Sequence, residues 1–494
     1  MTELHTQHDP AVHDRLEHDL EHDSATVVTI GGGLGSFALI DRLRIAGVPA
    51  DELRVVGRTA DPSGAFAELC RSSGMLLGDR LRSDSSARMD NIWGFPGYAA
   101  SEAVRRRSPG PLLRTLVEPL AAQPYTPTVG LMVESVAREA ARIGWTDLVT
   151  VGEAYRIAKL PTGGYVVLVS REGQADLAIR TRWVHLALGP AGPQLSDVSE
   201  SFRSHFGAER VVHAYEDHEE AYQLLRRQGG RVLVRGSGIA SSRVLERLIE
   251  DRDRTRKDVH IWQLFRTYHA APTGPRTDRY DAGHGFHYQS YSFPKAAFGG
   301  QIRDQIRGLD EGERIELIRR LGSTSTPYRS DWARQLRRGR TEGWYDAVVG
   351  ELAGLAPRPD GVTAAILLAT KERLDLDVDV LIDATGMDTT AAHHPLVEAL
   401  VEDGLGELND LDCLRVDGDF VVSCSDSAED GASGIVASGM TAKGAQYAPV
   451  DSFHGLQSAA LTIARRLSDE GVGKPLTPLR SLRSWWSWMG GRSL

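Results

Sequence analysis

Val27-Val28-Thr29-Ile30-Gly31-Gly32-Gly33-Leu34-Gly35-Ser36-Phe37-Ala38-Leu39-Ile40 is the stretch that decides the fold of this chain. A β-branched run leads into a glycine turn, and the turn opens an apolar helical segment. Strand, turn and helix in that order is the context in which such a turn marks a dinucleotide site. Gly31 permits the tight turn, and Gly33 lets the main chain approach a pyrophosphate seated on the helix N-terminus. Gly35 lies in the same turn, and Ser36 takes the third fingerprint position, small enough for close helix–strand packing. A second strand follows, Glu52-Leu53-Arg54-Val55-Val56. Dinucleotide folds usually place an acid at its end to hold a ribose hydroxyl. Here the end reads Gly57-Arg58, so either Arg58 contacts the adenosine portion or the acid comes from elsewhere.

The pattern returns two hundred residues on. Val232-Leu233-Val234 leads into Gly236-Ser237-Gly238-Ile239-Ala240-Ser241, and a helical stretch continues to Ile249. Gly236, Ser237, Gly238 and Ser241 are the expected contacts of a second dinucleotide. The next strand, Val259-His260-Ile261-Trp262-Gln263-Leu264, ends at Phe265-Arg266. An Arg in the acid's place accommodates a 2′-phosphate, which favours NADPH over NADH.

Two such turns at this spacing resemble the flavoproteins with two dinucleotide-binding domains. Other segments share the likeness. Trp183-Val184-His185-Leu186-Ala187-Leu188-Gly189-Pro190 and Val380-Leu381-Ile382-Asp383-Ala384-Thr385-Gly386 look like that family's strands ending in Ala-Thr-Gly turns. Gly434-Ile435-Val436-Ala437-Ser438-Gly439 resembles its last flavin-binding strand. Helical periodicity then runs from about Ser452 to Leu467, with Asp451 or Ser452 as N-cap. The resemblance implies an α/β fold of two Rossmann-like dinucleotide-binding domains, the NADPH domain inserted into the FAD domain. The expected boundaries are an arm at 1–24, a first FAD-domain segment at 25–205, the NADPH domain at 206–375 with a helical and loop insertion near 270–350, a second FAD-domain segment at 376–470, and a tail at 471–494. It also implies FAD contacts from Thr385, Gly386, Gly439, Ser452, His454, Gly455 and Leu456.

Composition narrows the chemistry. The 494 residues include 57 Lys and Arg against 67 Asp and Glu, a net charge of −10 that argues against a general nucleic-acid binder. The three cysteines, Cys70, Cys413 and Cys424, contain no closely spaced pair for a dithiol relay. The wider pattern then resembles flavin-dependent monooxygenases, including the N-hydroxylating ones, in which NADPH reduces FAD and a flavin hydroperoxide transfers one oxygen atom from O2. Phe206-Gly207 and His213-Ala214-Tyr215 look like the linker of flavin-containing monooxygenases, although the fixed Baeyer–Villiger spacing is absent. Met89 through Gly97 lies where related enzymes bring groups to the flavin, with Asn91 expected to hydrogen-bond it and Trp93 to pack on its ring. The aromatic, Gly-rich stretch 283–300 supplies His287, Tyr291 and Lys295 as candidates for acid–base work or for binding a substrate carboxylate. Two other readings stay open: an NAD(P)H-dependent flavin oxidoreductase passing electrons to a small acceptor, and a non-catalytic dinucleotide sensor.

The remaining expectations concern the ends and the surroundings. The first twenty-two residues carry five His among many acids and read as a solvated arm rather than a metal site. No secretory leader and no run of about 18 apolar residues appears, so a cytoplasmic protein without a membrane span is expected. The Arg- and Glu-rich stretch from about 301 to 350 reads as a solvated helical insertion. The Trp-rich tail around Trp485, Trp486 and Trp488 is expected to pack on the body or a partner subunit. Expected partners are a small-molecule substrate and oxygen, with a homo-oligomer left open.

Overall fold

The run at 27–30 closes a longer strand, β1 (Glu21–Ile30), in a computed structural model that describes residues 20–81, 88–90, 97–121, 125–266, 306–321, 330–424, 433–446, 450–475 and 477–494. β1 pairs in parallel with β2 (Leu53–Gly57) on one side and β6 (Leu177–Leu186) on the other. β3 (Val149–Val151) lies beyond β2, and β16 (Gly434–Ala437) lies beyond the C-terminal half of β6, both parallel. β4 (Glu153–Lys159) and β5 (Tyr165–Ser170) form an antiparallel ribbon on the N-terminal half of β6. Val28, Val55, Val184 and Val436 are all fully buried, because parallel strands are covered on both faces.

α1 (Leu34–Ile45) follows the turn and is buried almost all round. α2 (Val129–Ile143) and α4 (Phe453–Asp469) pack against it, which is why its sequence shows no polar face. The arm is shorter than 1–24. Glu21 through Ala25 pair with Leu177 through Thr181, and Glu21 N–H donates to Asp176 O. Side-chain polarity hid this stretch, since main-chain pairing with β6 needs no apolar side chains.

A second sheet has the order β13-β12-β11-β10-β9-β14-β8. Its parallel strands comprise β8 (Val211–His213), β14 (Val380–Asp383), β9 (Gly230–Arg235), β10 (Val259–Phe265) and the start of β11 (Tyr345–Arg358). The rest of β11 turns into an antiparallel meander with β12 (Gly361–Leu368) and β13 (Arg373–Val378). α3 (Ile239–Thr255) follows the second glycine turn. In sequence, all strands of this sheet fall between β6 and β16 of the first. The chain leaves and returns along β7 (Gly192–Pro193) and β15 (Met387–Asp388), which pair with each other.

This layout moves the expected boundaries. The helix Asp197–Phe206 puts Phe202 into the second sheet's core, so the crossing comes before 205. β14 sits between β9 and β8, so residues 380–383 belong to the second sheet and not to the segment from 376. The end of the helical and loop insertion expected near 270–350 overlaps a strand, since β11 begins at Tyr345. Its helices Glu311–Leu321 and Ser330–Glu342 are present, but the first is not merely solvated: Arg314 is 9% exposed and donates from Nε to Gly444 O at 2.9 Å, and Ile315 is buried. Among the described residues no helix is long and apolar enough to cross a membrane.

Candidate functional site

The first turn is wedged between β2 and β6. Gly31 N–H donates to Val56 O at 2.8 Å, and Ala187 N–H donates to Ile30 O at 2.9 Å. Gly31 has φ +104°, and a Cβ there would sit 2.3 Å from Ala187 O, so only glycine fits. Gly33 is the N-cap of α1 with extended backbone, and no side chain caps the helix. A Cβ on Gly33 would meet nothing within 4 Å, so this helix N-terminus faces open space. Gly35 does different work. Its missing side chain lets α1 approach Ala187 Cβ, Leu456 and Ser438, at 3.1–3.5 Å from where a Cβ would be.

Beneath the turn runs a buried hydrogen-bond chain. Ser36 Oγ donates to Gly31 O and lies 2.6 Å from Thr29 Oγ1. Thr29 Oγ1 is 2.8 Å from His185 Nδ1, and His185 Nε2 is 2.8 Å from Ser438 Oγ. The chain joins β1, α1, β6 and the end of β16, the elements that carry the expected flavin contacts. Burial pushes the His185 imidazole down to about 3, so it is neutral at physiological pH and bridges two hydroxyls. Thr29 and His185 carry a signal in the sequence, as single polar residues within the apolar runs 27–30 and 183–188, but nothing there shows that they meet.

The second turn repeats the first. Gly236 has φ +135°, and a Cβ there would lie 2.4 Å from Ala384 O. Ser241 Oγ donates back to Gly236 O at 2.7 Å, the same five-residue return that Ser36 makes. Gly238 is the N-cap of α3 with φ −83° and ψ −166°, close to the −96° and −166° of Gly33. A Cβ there also meets nothing within 4 Å. The polar anchor differs: Gln263 Nε2 donates to Gly236 O at 2.8 Å, and Tyr345 OH donates to Gln263 Oε1 at 2.7 Å. Ser237 lies between the two glycines. Arg266 stands exposed one residue past β10, with no partner among the described residues.

At the third segment, Gly439 has φ +66° and faces Leu456, whose Cδ2 would be 3.2 Å from a Cβ there. Ser452, not Asp451, caps α4: its Oγ accepts from Gly455 N–H at 3.0 Å. His454 stands in the first turn of that helix. Gly31, Gly33, Gly35, Ser36, Gly439, Ser452, Gly455 and Leu456 therefore gather at the C-terminal ends of the first parallel sheet. Thr385 and Gly386 lie elsewhere, at the crossover. Thr385 Oγ1 donates to Asp383 Oδ1 at 2.6 Å and to Gln194 O at 3.0 Å, and Gln194 N–H donates to Gly386 O. Asp383 is fully buried and pairs with Arg235 Nη1 at 2.8 Å, so this motif anchors the return strand.

Asn91, Trp93, His287, Tyr291 and Lys295 lie outside the described residues. Their flank is described: Arg88 and Asp90 form a buried ion pair, 3.0 Å from Nε to Oδ1, and Arg88 stacks 4.8 Å from the Tyr98 ring. The tail helix α5 (Pro478–Met489) packs on the body there, with Trp488 Nε1–H donating to Asp90 O at 3.0 Å. None of the three cysteines is in a disulfide. Burial pushes the Cys70 thiol up to about 12 and raises that of Cys413.

No family model and no curated protein sequence matches this chain. Solved structures do. The ornithine hydroxylase of Pseudomonas aeruginosa has a TM-score of 0.64 at 16% identity, over 90% of this chain and 99% of its own. The ornithine N-hydroxylase of Kutzneria sp. 744, determined with reduced FAD, NADP+ and L-ornithine, has a TM-score of 0.64 at 18% identity, over 91% and 100%. The bacillithiol disulfide reductase of Bacillus cereus has a TM-score of 0.52 at 13% identity, over 90% and 100%. The mixed α/β architecture with parallel sheets is thus that of the two-domain flavoprotein monooxygenases. At these identities the likeness establishes the fold, which hosts both monooxygenase and reductase chemistry.

Proposed function

We propose that this chain is an FAD- and NADPH-dependent monooxygenase that hydroxylates a nitrogen of a small amine. In this reading FAD occupies the first turn and NADPH the second, in a domain inserted into the FAD domain between residues of about 195 and 385. The observation that carries the reading is the duplicated turn. Each copy has a positive-φ glycine pressed on an alanine carbonyl, a serine tied back to it, and a helix N-terminus without a capping side chain. Such a terminus favours a bound anion.

Bound FAD would supply the redox and oxygen-transfer chemistry, with NADPH as the hydride donor. The chain's own residues do the rest. The main-chain N–H groups at the start of α1 hold the pyrophosphate over Gly33. The N-terminus of α4, capped by Ser452, would face the ring through His454, Gly455 and Leu456 and favour negative charge there. Gly439 leaves room for the ring beside Leu456. Arg266 takes the 2′-phosphate of NADPH. From the sequence alone, we keep Asn91 and Trp93 as proposed flavin contacts and His287, Tyr291 and Lys295 as proposed substrate contacts. The N-hydroxylases of similar fold act on ornithine, which supports a substrate with a terminal amine. The high thiol values at Cys70 and Cys413 disfavour thiolates at neutral pH and so speak against electron relay through sulfur.

The test is product analysis. Purified protein should be yellow and bleach under anaerobic NADPH. In air, ornithine, lysine or a related diamine should raise NADPH consumption and yield an N-hydroxylated product. Stoichiometric hydrogen peroxide with every amine would replace this reading with a simple oxidoreductase. Protein that takes up no FAD would overturn both.

A further inference from the structure

Position 57, the last of β2, has no room for the acid that usually holds a ribose. A Cβ on Gly57 would lie 2.6 Å from Gly32 Cα and 2.7 Å from Gly32 N, both main-chain atoms that cannot swing aside. The glycine turn and the strand end are packed backbone to backbone, so a side chain at 57 would displace the turn itself.

A carboxylate reaches this corner from the neighbouring strand. Gly57 is paired with Val151 of β3, and Gly152 N–H donates to Gly57 O at 3.0 Å. Gly152 has no space for a Cβ either, since Ser170 O would be 2.6 Å away. The chain turns there, and Glu153 opens β4 beside the end of β2. Glu153 Oε1 accepts from Arg58 Nη2 at 3.0 Å, and Oε2 has no partner among the described residues. Asp61, the acid of the loop after β2, turns its Oδ1 to Ser63, accepting from its N–H at 2.9 Å and its Oγ at 2.8 Å. The Arg58 and Glu153 side chains are 79% and 55% exposed, and such pairs contribute little to stability. Folding therefore gives no strong reason for the pair.

The geometry points to Glu153 as the acceptor for the adenosine ribose diol of FAD, with Arg58 orienting its carboxylate. The assignment rests on the flavin reading above. A dinucleotide seated on Gly33 places its ribose alongside the end of β2. Glu153 stands at that end, displaced by one strand from the usual position, because the turn occupies the space next to residue 57.

The test uses flavin-stripped protein with the second site saturated by NADP+. ADP and 2′,3′-dideoxy-ADP are titrated calorimetrically into wild type, Glu153→Gln and Arg58→Met. Wild type should prefer ADP by about tenfold or more, as loss of a charge-assisted hydrogen bond implies. Glu153→Gln should bind the two ligands alike, at the wild-type affinity for the dideoxy compound. Arg58→Met should show a smaller loss, again confined to ADP. Urea midpoints of both variants should match wild type. Equal loss for both ligands, or no loss, overturns the assignment while leaving the flavin reading intact, provided wild type takes up FAD. Wild type that binds neither FAD nor ADP overturns the flavin reading and this assignment with it.

Discussion

Replacing His185 by Asn should remove a defined share of the protein's acid sensitivity. Burial depresses the folded-state value of His185 to about 3, against an ordinary value near 6.5. Between these values the unfolded chain binds a proton that the folded protein does not, so stability rises with pH across this window. The contribution is fully present above about pH 6.5 and is lost as pH falls toward 3. One unit is worth about 1.4 kcal/mol, so wild type should lose about 1 kcal/mol by pH 6 and about 2 kcal/mol by pH 5 from this residue. Asn cannot titrate, and it is too short to span Thr29 and Ser438, which lie 2.8 Å from opposite ring nitrogens. At pH 7.5 the variant should therefore be less stable by about 1–3 kcal/mol, the cost of leaving buried hydroxyls unpaired. Its disadvantage should shrink by about 2 kcal/mol on going to pH 5. Urea unfolding followed by far-UV circular dichroism at pH 7.5, 6.5, 6 and 5 measures both. The comparison matters because burial also lowers His213, His218 and His394 and raises Asp41 and Glu139, and these cancel in the difference. Parallel stability curves for wild type and variant would refute the neutral, bridging imidazole.

Gly31→Ala should destabilise by more than about 2 kcal/mol and lose FAD, because strain at positive φ adds to the clash with Ala187 O. Gly33→Ala should fold normally, with a melting temperature close to wild type, yet bind FAD at least tenfold more weakly; a normal flavin affinity would show that the open face at Gly33 is not the pyrophosphate site. Arg266→Ala should raise KM for NADPH far more than for NADH, whereas equal effects would remove the 2′-phosphate assignment. Arg235→Met should cost about 3–5 kcal/mol in thermal or urea unfolding, since it leaves Asp383 buried without its cation. A loss under about 1 kcal/mol would mean that Ser199 and Thr385 suffice.

Much of the fold was legible because its main devices are local. A glycine turn between a strand and a helix needs particular residues in consecutive positions, and Gly31, Gly33, Gly236 and Gly238 stand where those needs arise. Ser452 as a helix cap follows from the same local logic, as its bond to Gly455 N–H spans three residues. Strand membership near the expected boundaries was not legible, because it is not local. Val380 through Asp383 would suit either sheet as an apolar run, and pairing with β9 and β8 assigns it to the second. Residues 21–24 are all polar and show no apolar pattern, and main-chain pairing with β6 makes them part of a strand.

By itself the sequence determined that there are two glycine turns between strand and helix and that no closely spaced cysteine pair is available, because glycine requirements and residue spacing are written along the chain. Only the tertiary structure decided what surrounds each turn. His185 meets Ser36 through Thr29, and Glu153 meets Arg58, across separations of more than ninety residues. Such contacts depend on which strand lies beside which. That order is fixed by burying apolar faces, and no short stretch of sequence carries it.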